Sequence, residues 1–491
     1  MSILVVLLLI SAITAASYAI LRTQSTAVHI QDNSALSASA RHAAITGLSY
    51  GVRAMNKDNW TGVGTDATRT LGALERFTVS FVAGDASLGP GNADYEDYAY
   101  RVTVQSTGYA EDPNDPDRVA SHTVHAVMRL IPRALSASPS DWSKMESYTF
   151  YQTESGTTEL EIPCQISGYL RLQDKLLVGD DYPDGSYVWN NYLDDLKEMY
   201  YDGYPDYRPI NGRVYLPYYK QDLSHFYPLR YALGFTALNT SIDLVGSDWT
   251  KPANLTTYQI YPGGPVYDIP ELEDEDQQNV NFEPDPLTNP LGLFYCDTPC
   301  NLKGNVSVRG TLFCKGDMKF EGPDIQFQSV DMPALAGTEE PVRLPVATAE
   351  KVLVKPGSAT SIQGLVAAFN EFKVENRPTA VPFHLVGRLV AEKLIIKMRL
   401  DWDSVDWVGY YAAFQDYEDE GGDDDDDDGE SYFPIWMGTQ GYNPAPQITI
   451  SPDETPVRYH WNNWANPIYV PHANDDDGLR WEMLQWKEGP G

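Results

Sequence analysis

Ser2–Leu21 reads SILVVLLLISAITAASYAIL, and none of these side chains carries a charge; the first charged side chain is Arg22. A helix of about 20 such residues rises roughly 30 Å, the thickness of a hydrocarbon core. Ile3, Leu4, Val5, Val6, Leu7, Leu8, Leu9 and Ile10 form its densest apolar part. The helical pattern continues past this run. Between Arg22 and Lys57 there is no proline, small residues dominate, and Ile45, Leu48, Val52 and Met55 recur at the three-and-four spacing of one helix face. The pattern predicts one long helix, membrane-spanning over 1–21 and amphipathic over 22–57.

Two other segments share part of this signature. A cleaved signal peptide has a basic n-region, a shorter apolar stretch and a small-residue cleavage site. Here no basic residue precedes the apolar run, and the helix pattern runs on beyond any cleavage point. A plain signal anchor shares the apolar run and is the closer rival.

Moving outward, 58–133 holds three alternating runs, Arg76–Val82, Tyr98–Tyr109 and Ala120–Ile131, with turn-forming residues between them. Their period-two apolar positions, rich in Val, Thr and Tyr, predict a small antiparallel sheet. Three strands alone are marginal, so the amphipathic half of the helix is expected to cover their apolar face. His122 and His125 lie three apart in the third run and so on opposite faces, which argues against a metal pair.

The two-part helix followed by a meander resembles the stalk and head of type IV pilins and type II secretion pseudopilins, most of all the PilX- and general-secretion-K-type minor members. The likeness covers 1–57 closely and 1–133 in architecture. Major pilins carry a glutamate fifth in the mature chain, whereas Ile3–Ser11 is uncharged here, as in general-secretion-K-type subunits. No basic leader ending in Gly precedes the apolar run, which implies a mature form or a start upstream of Met1. The resemblance implies a structural minor subunit of a type IV pilus or type II secretion-like filament. It would be single-pass in the inner membrane before assembly, its globular part periplasmic or extracellular. Its partners would be other pilin subunits, met through the helix. The missing glutamate and the large globular part suit a low-copy position near the filament tip.

The totals bound what the rest can be. In 491 residues there is room for more than one domain. With 69 acidic against 35 basic residues the net charge is −34, which excludes phosphate-led nucleic-acid binding as a main role. Four cysteines, Cys164, Cys296, Cys300 and Cys314, neither require nor exclude disulfides in an exported chain.

Residues 134–290 read as a linker, early β rungs at Glu159–Gly179 and a loop-heavy insertion. Twelve of the 32 tyrosines fall in Tyr182–Tyr231, which reads as ring-packed loops or as a ligand platform. Pro262–Pro290 is acidic and proline-rich, the composition of a connection.

In 291–400 the pattern sharpens. Gly304, Gly310, Gly316 and Gly322 stand six apart, with Leu302, Val308, Cys314 and Phe320 two positions before them. Val306, Leu312 and Met318 stand two positions after the first three. A six-residue period with paired inward apolars predicts a parallel β-helix whose coil takes about 18 residues. The texture is similar to bactofilin-like polymer-forming solenoids; an antiparallel sandwich is the alternative. The fold class is thus an α+β pilin-like part followed by a mainly β part. An 18-residue coil stacks Cys296 on Cys314, which makes them the candidate disulfide or two stacked thiols. Cys300 falls on the other inward phase.

The last region, 401–491, is acidic and Trp-rich. Asp401–Glu430 has 14 acidic residues and no Lys or Arg, with consecutive aspartates from Asp423 to Asp428. Such a run reads as a solvated loop; Asp423, Asp425 and Asp427 are weak calcium candidates, without the spacing of an EF-hand loop. The aromatic remainder suits a cap on the solenoid or an adhesive face. No phosphate loop, dinucleotide fingerprint, HExxH or GxSxG occurs, so no catalytic residue, cofactor or firm metal site is assigned. The rival functions are a β-helical polysaccharide-active enzyme or binder on a simple anchor, and a surface adhesin using the aromatic C-terminal region.

Overall fold

The structure is a computed structural model. It describes residues 2–57, 60–132, 147–154, 156–160, 164–174, 176–178, 210–216, 236–239, 256–261, 263–332, 342–355, 357–376, 382–398, 448–455, 457–459 and 479–489. The chain divides into two units, Met1–Arg133 with Gln259–Val266 and His472–Gly491, and Ala134–Tyr258 with Tyr267–Pro471. Asp423, Asp425 and Asp427, the run at 401–447, and most of Tyr182–Tyr231 lie outside the described residues.

The first unit is one helix laid on one sheet. Helix α1 spans Ser2–Met55, about 80 Å of continuous helix. Four antiparallel strands follow in a meander: β1 (Asp66–Thr70), β2 (Glu75–Ala83), β3 (Arg101–Asp112) and β4 (Asp115–Pro132). Three of them correspond to the three alternating runs. Tyr98 to Tyr100 belong instead to a 3-10 turn, Tyr95–Tyr100, which leads into β3. A fifth strand, Leu479–Gly489, comes from the chain's far end and pairs antiparallel with β4, Trp481 opposite Leu130. The region expected as an aromatic C-terminal end thus supplies a strand to the N-terminal sheet.

The core of this unit lies between the helix and the sheet. Alternate residues of β2 and β3, Phe77, Val79 and Phe81 with Val102 and Val104, are buried. A second contact ties in Gln259–Val266. Trp60 stacks on Tyr261 at 6.2 Å between ring centroids, and Trp481 meets Tyr261 edge-on at 4.9 Å. The Val63 amide donates to the Gly263 carbonyl at 2.9 Å.

The second unit is a coil of parallel strands. Cys296 pairs with Cys314 and Cys300 with Met318, each 18 residues on. The next turns are longer: Asn305 pairs with Asp324, and Val366 with Leu389. One inward column runs through six successive coils as Leu302, Phe320, Val354, Val374, Ile396 and Leu160, all buried. All seven apolar positions that flank the period-six glycines are buried as well. The glycines allow the coils to approach. A Cβ on Gly310, whose φ is +134°, would lie 2.1 Å from the Gly292 carbonyl oxygen, and one on Gly322 would lie 1.9 Å from that of Gly304.

The spatial order of the coils departs from chain order. The short strands Asp276–Gln278 and Asn281–Phe282, in the stretch read as a connection, pair with the coil above them. The stack then climbs to Phe383–Met398. The following coil is assembled from Ile448–Ser451, Phe150–Gln152 and Thr158–Leu160. Gln165–Arg171, Leu176–Val178, Ile210–Leu216 and Thr236–Asn239 continue it. The earliest strands of this unit therefore stack beyond its latest ones. Each parallel coil leaves a row of unpaired amides and carbonyls, and the early strands cover that edge.

Candidate membrane and assembly interface

Helix α1 changes environment along its length. Ile3 through Ala35 are exposed throughout, and the first fully buried residue is Ala40. The exposed part is about 50 Å long. Its first half carries the predicted membrane residues Ile3, Leu4, Val5, Val6, Leu7, Leu8, Leu9 and Ile10, with Ile3 at 76% and Leu7 at 59% exposure. Each Leu, Ile or Val there gains roughly 1–2 kcal/mol on leaving water. Summed over the run, that rivals the net stability of a whole domain, about 5–15 kcal/mol, so water is a poor solvent for this surface. The helix is long and apolar enough to cross a membrane.

Its polar atoms fit an apolar surround. The Thr14 hydroxyl donates to the Ile10 carbonyl at 2.8 Å, which satisfies the hydroxyl within the helix itself. Thr23 and Thr26 do the same with the carbonyls of Ala19 and Arg22.

The other half of the helix is held by small residues. Ala40, Ala43 and Ala44 are buried, with Leu48 and Met55 beyond them. A Cβ on Gly108 of β3 would lie 2.2 Å from both the Ala40 carbonyl oxygen and the Ala44 amide nitrogen. On the helix side, a Cβ on Gly51 would lie 2.8 Å from Val79 and 2.9 Å from Val104. At Gly108 backbone thus packs directly on backbone, and at Gly51 the helix backbone packs on the methyl groups of two valines. Ile45 and Val52, which the three-and-four spacing placed on the packed face, are only half-buried, because the glycines and alanines take the closest contact.

Polar clamps fix the helix against the sheet. Arg41 pairs with Glu488 of the last strand at 2.6 Å, and the His122 ring lies 3.6 Å from the same carboxylate. The hydrogen bond from Arg41 holds the Glu488 carboxyl below the usual carboxylate range. Arg118 bridges Asp112 and Asn33, and the Trp481 amide donates to Asn56 at 3.1 Å. The helix therefore projects from its own sheet at a set angle, which a flexible tether would not do.

The remaining candidates are placed as follows. Cys296 and Cys314 are register partners, and all four cysteines are buried free thiols. His122 faces Glu488, while His125 sits beside Gly489. Among the described residues no group of three His, Cys, Asp or Glu side chains is arranged to hold a metal ion. Gly108 and the alanine face were missed in the sequence, since small residues carry little hydropathy. The one signal for Leu479–Gly489 is its Leu479, Trp481, Met483 alternation, short and next to an acidic run.

No protein-family model matches the chain, and no curated protein matches it. Among solved structures, the competence-associated pilin ComZ from Thermus thermophilus is similar at 10% identity, over 92% of this chain and 98% of that one, with a TM-score of 0.22. A score that low carries no argument about fold or function. The fold itself is a membrane-length helix built into an antiparallel sheet, with a parallel coil as a second unit.

Proposed function

We propose that this chain is a pilin-like minor structural subunit of a bacterial type IV pilus or type II secretion-like filament. The parallel coil is read as a β-helix carried outside the cytoplasm. The supporting observation is helix α1, apolar and exposed in one half, and packed backbone-to-backbone on a sheet in the other. A subunit of this form sits in the inner membrane through Ser2–Leu21. It is then drawn into a filament where the same surface packs on helices of other subunits. The uncharged Ile3–Ser11 and the bulk of the second unit favour a low-copy place near the tip. A lone carboxylate in lipid is costly, so pilins that carry one gain by docking it on a neighbour, whereas this chain has none to dock.

Two measurements test the reading. Removing residues 1–24 should release the protein from the membrane to the aqueous phase. Full-length protein that partitions to water without detergent would rule out the tether. Quantitative mass spectrometry of sheared filaments should find the chain at a small fraction of the main subunit; equal stoichiometry refutes the tip position, and complete absence refutes incorporation.

A further inference from the structure

The chain leaves the first sheet and returns to it at neighbouring points. Pro132, at the end of β4, and Leu479, at the start of the last strand, are register partners. Partners across an antiparallel pair have Cα atoms about 4.5–5.5 Å apart. Residues 133–478, about 350 in all, are therefore a loop whose two ends meet. Within the second unit the same loop meets itself again. Tyr148, near its beginning, packs on a buried cluster that contains Val457 and Tyr459, near its end. Between these two meeting points lie only 133–147 and 460–478, about 35 residues.

A second crossing is built alike. Gln259–Val266 belongs to the first unit, yet Thr257–Tyr258 and Tyr267–Asp268 on either side of it pair antiparallel within the second. Tyr261, in that excursion, is 1% exposed and meets Trp60 and Trp481. The last strand in turn holds more than a sheet edge. Its Glu488 pairs with Arg41 at 2.6 Å, and its Trp481 amide donates to Asn56 at 3.1 Å. Both ends of the packed half of helix α1 are thus fixed by residues from the far end of the chain. That strand has one neighbour in the sheet, β4. Its return to β4 is an intramolecular step, and the span of chain it must bridge sets how readily it occurs.

We propose that folding of the coil governs the seat of the membrane helix: the folded second unit delivers the last strand to β4, and an unfolded one withdraws it. Bringing two ends together becomes roughly threefold harder with each doubling of the chain between them. With the coil folded that span is about 35 residues, and with the coil unfolded it is about 350. The difference is just over three doublings, so docking of the last strand weakens about 30-fold when the coil opens. By linkage, the coil weakens by the same factor when the last strand is removed. This coupling needs no contact between coil and sheet, and it stands whether or not the chain enters a filament. Within the filament reading, only a subunit with a folded coil holds α1 at its set angle.

Amide hydrogen exchange on the protein in detergent reads the coupling in both directions. Val374 is fully buried in the inward column, and Val374→Asp places an unpaired carboxylate there that opens the coil. Where the coil amides stay protected, Leu394→Asp is added to it. Amides of β4 and of Leu479–Gly489 should then lose about 30-fold in protection, although both substituted residues belong to the second unit. In the converse variant the chain ends at residue 478, and coil amides such as those of Thr311–Cys314 should lose protection by about the same factor. Adding about 35 Gly/Ser residues within 460–478 doubles the folded span and should bring both losses down to about tenfold. A loss under tenfold in either variant without the added residues overturns the proposal, as do losses that the added residues leave unchanged. Membrane retention and filament stoichiometry are separate readouts, so failure here leaves the filament reading standing.

Discussion

Gly108 is the position where helix and sheet come closest, and Gly108→Ala tests whether that approach holds the first unit together. The added methyl would meet the Ala40 oxygen and the Ala44 nitrogen at 2.2 Å, and ordinary contact begins at 3.4 Å. Both obstacles are backbone, so no side chain can rotate away. The helix must withdraw by about 1.2 Å, and a gap of that order forfeits roughly half the dispersion energy of the lining atoms. Overpacking of this kind costs about 1–3 kcal/mol, and immovable backbone puts Gly108→Ala at about 2–3 kcal/mol. Gly72, in the β1–β2 turn, is the control: its Cβ would meet nothing within 4 Å. Gly72→Ala should be neutral or stabilising by up to about 1 kcal/mol. Amide hydrogen exchange read by mass spectrometry on full-length protein in detergent separates the two. Protection of β2 and β3 amides should fall about 30- to 150-fold in Gly108→Ala and hold or rise in Gly72→Ala. Protection within threefold of the parent in Gly108→Ala would refute backbone-on-backbone packing as the basis of this unit.

Phe320 is fully buried in the inward column and stacks on Phe327 at 5.3 Å. Phe320→Ala should cost about 3–5 kcal/mol and lower the thermal midpoint of the β signal in circular dichroism; an unchanged midpoint would mean the column is not a packed core. The acid limit of the first unit should depend on Asp85. Burial alone would raise its carboxyl, but the hydroxyl and amide of Ser87 and the Arg101 guanidinium at 3.1 Å outweigh it and hold the group below the usual range. A depressed folded value means that the contribution is present above about pH 4 and is lost as pH falls through the folded value. Hydrogen exchange across β3 should therefore accelerate in that window, and Asp85→Asn should be less stable near neutrality with a flatter acid limb; identical profiles would show the pair to be inert.

How much was legible in the chain itself follows from the range of each signal. An uncharged run of membrane length, a period of two in three short segments and a period of six around Gly304–Gly322 are written in neighbouring residues, because helix, strand and coil each repeat over a few positions. They determined α1, most of β2 to β4 and the 18-residue step that stacks Cys296 on Cys314. Pairing between distant segments has no such local mark. That Leu479–Gly489 closes the first sheet depends on β4 offering an open edge, and that Phe150–Leu160 stacks above Leu389–Ile396 depends on the edge a parallel coil leaves unsatisfied. The seat of the helix was equally hidden, since glycine and alanine become the strongest contacts only when two backbones meet. Tertiary structure decided these features because unpaired backbone groups and close-packed surfaces are satisfied wherever in the chain a partner exists, whereas hydrophobic period speaks only for its own segment.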